Sequence, residues 1–145
     1  MRRTIGQSAG AAWLGVAMPA HVAPADLPAP RSAAVMDFEL INEMRDYETE
    51  DSRAALQHRL GLIGDALREE FDRRGMYRIV DNNAAAKLIA NEKSRQDLRN
   101  CNGCELDIGR GLDADIVILC WVQKVSNIIL NLNIEVKEIG SGKTM

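Results

Sequence analysis

The stretch from Ala114 to Ile139, ADIVILCWVQKVSNIILNLNIEVKEI, limits what this chain can fold into more than any other. It reads as two long β-strands joined by a turn at Val125-Ser126-Asn127. In the second half Ile128, Leu130, Leu132, Ile134 and Val136 share one face, while Ile129, Asn131, Asn133, Glu135 and Lys137 share the other. That period of two marks a strand with one face buried and one wet, so the row Asn131, Asn133, Glu135 and Lys137 is expected in solvent. The first half, Ile116 to Val122, is apolar on both faces and should be a central strand covered on both sides.

The upstream segments look built to cover this hairpin. Ala33 to Leu40 (AAVMDFEL) has the β-branched and aromatic content of a first strand. The polar run Asn42 to Glu50 reads as a solvated loop. A long helix follows, capped by Asp51 or Ser52, with Leu56, Leu60, Ile63, Leu67 and Phe71 at spacings of three and four. That stripe should face the sheet, leaving Arg59, Arg68, Glu69 and Arg73 on a solvated face. Gly75 suits the left-handed residue that closes such a helix. Met76 to Asp81 (MYRIVD) is a short second strand, so strand, helix and strand form a parallel βαβ unit. Asn82 to Lys93 reads as a second helix capped by Asn82 or Asn83, Ser94 to Asn100 as a polar connector, and Cys104 to Leu112 as a short third helix weakened by Gly109 and Gly111. The expected class is α/β: a mixed sheet of about four strands, packed with two longer helices and one short one.

Domain organisation follows from the amino terminus. Arg2 and Arg3, the apolar run Ala9 to Ala20 and the Ala23-Pro24-Ala25 site have the three parts of a secretory signal, giving a signal peptide at 1–25 and a proline-containing linker at 26–32. One domain, 33–145, remains. The apolar run is too short for a membrane span, and nothing later is longer, so the mature chain should carry none. After Ile139 only GSGKTM follows. Either the last strand is an edge, or the sequence is a form of a longer protein shortened at its carboxyl end.

Residues that could carry chemistry are few. Cys101 and Cys104, separated by two residues at a helix start, could form a disulfide that clips the loop, exchange thiols, or contribute to a metal site. Against redox exchange, the pair follows a polar loop rather than a strand. Zinc would need further ligands, and only Cys120 and His58 are at hand; Cys120 lies within the central strand and His58 off the apolar stripe. Asp37 and Glu39 alternate along the first strand and could pair as carboxylates or simply mark its wet end. Gly140 to Thr144 resembles the tail of a phosphate-binding loop, but Lys137 stands where that pattern asks for glycine, so it reads as a strand-ending turn. A formal net charge of −3 argues against nucleic acid as a partner, and an aromatic content of 4% against stacking platforms.

The order Ala34-Val35-Met36-Asp37-Phe38, long helix, Tyr77-Arg78-Ile79-Val80-Asp81, Cys-x-x-Cys loop, then Gly111-Leu112-Asp113-Ala114-Asp115 running into a hairpin resembles a family of secreted bacterial proteins of unknown function. More distantly it resembles the amino-terminal domain of the TolB translocation protein and the periplasmic domain of the curli-secretion lipoprotein. The resemblance implies a TolB-like α/β domain, periplasmic or secreted, that works through contacts with an envelope protein partner and not as an enzyme. It carries over no catalytic residue and implies no cofactor or metal. The last strand, with Asn131, Asn133, Glu135 and Lys137, is the candidate partner-binding edge. A thiol-redox protein using Cys101 and Cys104, and a small-ligand binder at the carboxyl ends of the parallel strands, are the competing readings.

Overall fold

The computed structural model describes residues 28–145, so the expected signal peptide lies outside the described residues. The chain forms β1 (Ser32–Val35), β2 (Glu39–Asn42), α1 (Glu50–Arg73), β3 (Arg78–Ile79), α2 (Ala86–Arg95), α3 (Cys104–Gly111), β4 (Ile116–Lys124) and β5 (Leu130–Glu138). These are the α/β class and the terminal hairpin expected from the sequence. Strand β4 is the axis: β5 runs antiparallel along one of its edges, and β1 and β2 run parallel along the other. Beyond β1 lies β3, also parallel. β1 starts at Ser32, inside the expected linker, where Asp115 accepts from both Ser32 N–H (2.8 Å) and its hydroxyl (2.7 Å). That pair of bonds fixes the start of β1 beside β4.

The single first strand expected from Ala33 to Leu40 is broken in two. Val35 pairs with Ile118 and Glu39 with Trp121, so Met36, Asp37 and Phe38 stand opposite only Leu119 and Cys120. One extra residue in a strand is a bulge, and it reverses which side chains face which way. Ala33 and Val35 join Phe38 and Leu40 in one apolar cluster, while Ala34 and Met36 lie in the other. The bulge also separates Asp37 from Glu39 as a carboxylate pair. Asp37 meets Arg68 at 2.5 Å, whereas Glu39 accepts from Leu98 N–H at 2.7 Å.

Helices cover both faces of the central strands, as a buried parallel sheet requires. On one face Leu60, Leu67 and Phe71 of α1 meet Val35, Phe38, Ile118 and Cys120. On the other, Ile89 of α2 and Ile108 of α3 join Leu98 and Leu112 over Met36, Val117 and Leu119. Leu98 thus belongs to the core, although its surroundings in sequence read as a polar connector.

Local chemistry explains the helix ends. Thr49, rather than Asp51 or Ser52, caps α1: its hydroxyl accepts from Ser52 N–H, with Glu50 and Asp51 favourably placed in the first turn. Gly75, at φ +62, closes the helix as expected, with Met76 N–H bonding back to Phe71 C=O. Asp81 caps a 3₁₀ turn over Asn82–Ala85 by accepting from Asn83 N–H, and α2 starts only at Ala86. That releases Asn82, whose amide donates to Val35 C=O at 2.7 Å.

Candidate functional site

Strand β5 is where the structure departs most from the expectation. Its alternation is as read and its apolar row lies on the α1 side, but most of that row is uncovered. Leu130 and Leu132 are each 56% exposed, Ile134 is 42% exposed, and Ile128 before them is 91% exposed. Their register opposite Lys124, Val122 and Cys120 puts them on the face that α1 covers elsewhere, yet of β5 only Val136 packs into that cluster. The helix lies across β1, β3 and β4 and stops short of β5. An apolar row is left in water.

The opposite row, Asn131, Asn133, Glu135 and Lys137, is the less exposed one toward its end. Lys137 is tied to Glu105 of α3, Nζ to Oε1 at 2.9 Å. Glu105 is 3% exposed and its second oxygen accepts from Gly103 N–H at 3.0 Å. Burial pushes its pKa upward, but the Lys137 ammonium and the Gly103 amide prevail, and the carboxyl is held below its ordinary value. Glu135 accepts from the Thr144 hydroxyl at 2.8 Å. The candidate row therefore divides: Asn131 is exposed and Asn133 half-buried near the turn, while Glu135 and Lys137 are engaged within the chain.

The outer edge of β5 divides at the same place. Gly140 to Thr144 forms the expected strand-ending turn, closed by Gly142 N–H to Glu138 C=O at 2.8 Å. The tail then folds back along β5: Lys143 C=O accepts from Glu138 N–H, and Met145 N–H donates to Val136 C=O. Since backbone groups alternate in direction along a strand, Leu130, Leu132 and Ile134 present theirs on the same outer side as Val136 and Glu138. Among the described residues those outward groups of Leu130, Leu132 and Ile134 have no partner. They are the residues whose apolar side chains are exposed.

Of the remaining candidates, Cys101 and Cys104 are joined as a disulfide, with Cα atoms 5.5 Å apart, across a turn made possible by positive φ at Asn102 and Gly103. Their sulfurs and the Glu105 carboxylate lie within 4.8 Å of one another, but sulfurs bonded to each other are not thiolate ligands. Cys120 is free and buried, and burial pushes its thiol up to about 12. His58 is exposed on α1. Arg68, expected on a solvated face, instead reaches back to Val35 C=O at 3.0 Å and to Asp37. The loop after β2 is likewise engaged: Glu48 is buried against Lys124, which holds its carboxyl below the ordinary value. Sequence gave no signal for these pairings, because their partners are 33 and 76 residues away.

A concavity lies at the carboxyl ends of β1 and β3, a cleft of about 710 Å³ lined by Met36, Asp37, Arg68, Val80, Asn82 and Leu98 among others. The Asn82 side-chain oxygen is buried without a partner. No helix among the described residues is long and apolar enough to cross a membrane.

A family model, DUF3280, described as "Protein of unknown function (DUF2380)", matches residues 31–145. The chain belongs to that family. No curated protein matches it in sequence. The fold of this DUF3280 domain is shared with the LpoB C-terminal domain from Escherichia coli, at 12% identity over 83% of this chain and 80% of that one, with a TM-score of 0.55. The NMR structure of E. coli LpoB aligns at 13% identity over 100% of this chain and 78% of that one, with a TM-score of 0.58. At such identities the likeness is one of fold. The more distant resemblance to the TolB and curli-secretion domains expected from the motif order is not shown by these comparisons.

Proposed function

We propose that this chain is a non-enzymatic protein of the cell envelope, periplasmic or secreted, that serves as an accessory or adaptor through protein contacts. One observation carries the reading: along Leu130 to Ile134, outward backbone groups that have no partner among the described residues coincide with exposed apolar side chains. Soluble domains rarely leave such a strand uncovered, and an extended partner segment pairing with it would satisfy both. The signal-like residues 1–25 and the Cys101–Cys104 disulfide suit an oxidising envelope compartment. The test is photo-crosslinking from Asn131 or Asn133 in envelope fractions. A discrete protein adduct, lost on Leu132→Lys, is the expected result; no adduct from either position sinks the reading.

A second reading, small-ligand binding in the cleft, is favoured by the unpaired Asn82 oxygen over an apolar floor. An NMR screen of small hydrogen-bond donors checks it through shifts at Met36, Val80 and Asn82. The thiol-redox reading has no comparable support, since the disulfide is tucked beside buried Glu105.

A further inference from the structure

Strand β3 occupies the lane beside β1 for two residues only. Ser32 pairs with Arg78 and Ala33 with Ile79, and the chain then leaves the sheet in the turn that Asp81 caps. Past the bulge, β2 pairs with β4 alone, so the same lane is vacant along β2. Because Glu43 N–H bonds to Lys124 C=O and backbone groups alternate in direction along a strand, Leu40 presents its N–H and C=O to the vacant side. Neither has a partner among the described residues. Val35 C=O, just before the bulge, is closed instead by Arg68 at 3.0 Å and by the Asn82 amide at 2.7 Å. Those two side chains stand in for the N–H that a longer β3 would supply. Both walls of the lane are internal segments of the chain.

The cleft at the carboxyl ends of β1 and β3 lies at the head of this lane, where Met36, Asn82 and Leu98 line it. We infer that the cleft takes the amino terminus of an extended peptide, which continues parallel to β2 and pairs with its open edge. This rests on the ligand reading of the cleft, names the occupant, and is independent of β5. The direction follows from the chemistry at the head of the lane. Asn82 Oδ1 is buried without a partner, and a lone acceptor calls for a donor. The titratable groups lining the cleft are Asp37, Asp65, Asp81, Arg68 and Lys93, three carboxylates against two cations, and Arg68 is already engaged by Asp37 and Asp65. A terminal ammonium brings donors and a positive charge to that set; a terminal carboxylate brings neither. Only a strand parallel to β2 arrives with its ammonium at Asn82. From there Leu40 is about 10 Å further along, the reach of a peptide's third or fourth residue. At that level Leu40 N–H and C=O bond to the carbonyl and amide flanking one peptide residue, the pattern of any parallel pair. The apolar lining of Met36, Val80, Ala86 and Ile89 suits small apolar side chains.

The experiment is an amide NMR titration of the full-length chain with two tetrapeptide amides, Ala-Val-Ala-Val and Val-Ala-Val-Ala, each with a free and with an acetylated amino end. The free-amine peptides should shift the amides of Met36, Asn82 and Leu40 and slow hydrogen exchange at Leu40. Acetylation should weaken binding about tenfold or more, the loss expected for hydrogen bonds from a charged donor. Leu40→Pro removes an N–H that points away from β4, so the internal ladder keeps its bonds while binding falls. Asp37→Asn, at an exposed position, is a second variant that leaves the strand untouched and should narrow the gap between free and acetylated peptides. Equal binding of the two forms overturns the inference. So do shifts confined to Met36 and Asn82 with Leu40 unmoved, since they place a ligand in the cleft without a strand on β2. Silence from both peptides up to about 1 mM overturns it as well, a Kd in that range amounting to only about 4 kcal/mol. If small hydrogen-bond donors still shift Met36 and Asn82 in that case, the peptide falls and the ligand reading of the cleft stands.

Discussion

Lys137 Nζ lies 2.9 Å from Glu105 Oε1, and the bond ties the last strand to the first turn of α3. Burial opposes the charge on both groups, yet each partner holds the other ionised: Glu105 is shifted down and Lys137 up. A lowered carboxylate contributes stability that is present above its unfolded value, about 4.3, and is lost as pH falls through the folded value. A raised lysine contributes below about 10.4 and loses that contribution as pH rises through its folded value. Glu105→Gln should cost about 2 kcal/mol at neutral pH. That is less than the about 3–5 kcal/mol for breaking a fully buried pair, because Lys137 can turn to water. Urea unfolding at several pH values checks it: the variant should lose much of the acid-side decline that the native chain shows.

The Cys101–Cys104 disulfide closes a very small loop, with only Asn102 and Gly103 between its ends. Chain-entropy arguments give such a loop about 2 kcal/mol. The double Cys→Ser variant is therefore expected to lose roughly 10 °C in melting temperature while keeping its fold. A structural clip beside buried Glu105 should also resist dithiothreitol in the native state and yield only on unfolding. Rapid, reversible reduction of the folded chain, followed by thiol titration, would revive the redox reading.

The hairpin, its turn, the close of α1 at Gly75 and the burial of Cys120 were all legible, because each depends on local pattern. What the alternation does not reveal is that most of the apolar row on β5 stays exposed. Period two tells which residues share a face, but not how far a helix reaches across to cover it; on β5 only Val136 packs into the cluster under α1. The bulge at Met36 to Phe38 was hidden too, since neither glycine nor proline marks it. Missing it concealed the parity change that separates Asp37 from Glu39 and exposes Val35 C=O to Arg68 and Asn82. Leu98 was unreadable for another reason: a lone leucine among polar residues has no periodicity to announce it. The edge itself is legible as the end of the hairpin, but its apolar half has the pattern of core.

Cys120 sits in the middle of β4 with its thiol pushed up to about 12, chiefly by burial. A thiol must ionise to react with alkylating reagents, and almost none does so at pH 8 under that shift. The native chain should therefore show no labelling by iodoacetamide, then label at one site as denaturant unfolds it. The labelling midpoint should coincide with that seen by circular dichroism. Fast labelling of the folded protein would place Cys120 nearer the surface than its 2% exposure.

Gly109, expected only to weaken the short helix, is instead required for α3 to approach the sheet. A Cβ built there would stand 2.3 Å from Ile139 Cδ1 and 2.9 Å from its Cγ1, closer than carbon atoms can lie. Alanine normally favours a helix over glycine by up to about 1 kcal/mol, so the sign of Gly109→Ala decides between propensity and packing. Ile139 is a buried core residue with little room to withdraw, and overpacking of this kind costs about 1–3 kcal/mol. Packing should win, leaving the variant less stable. Ile139→Val removes the Cδ1 carbon and should restore part of the loss, so the double variant will be more stable than the sum of the single changes allows. Additive effects in that cycle would mean the clash is relieved by a shift of the helix and not by the isoleucine.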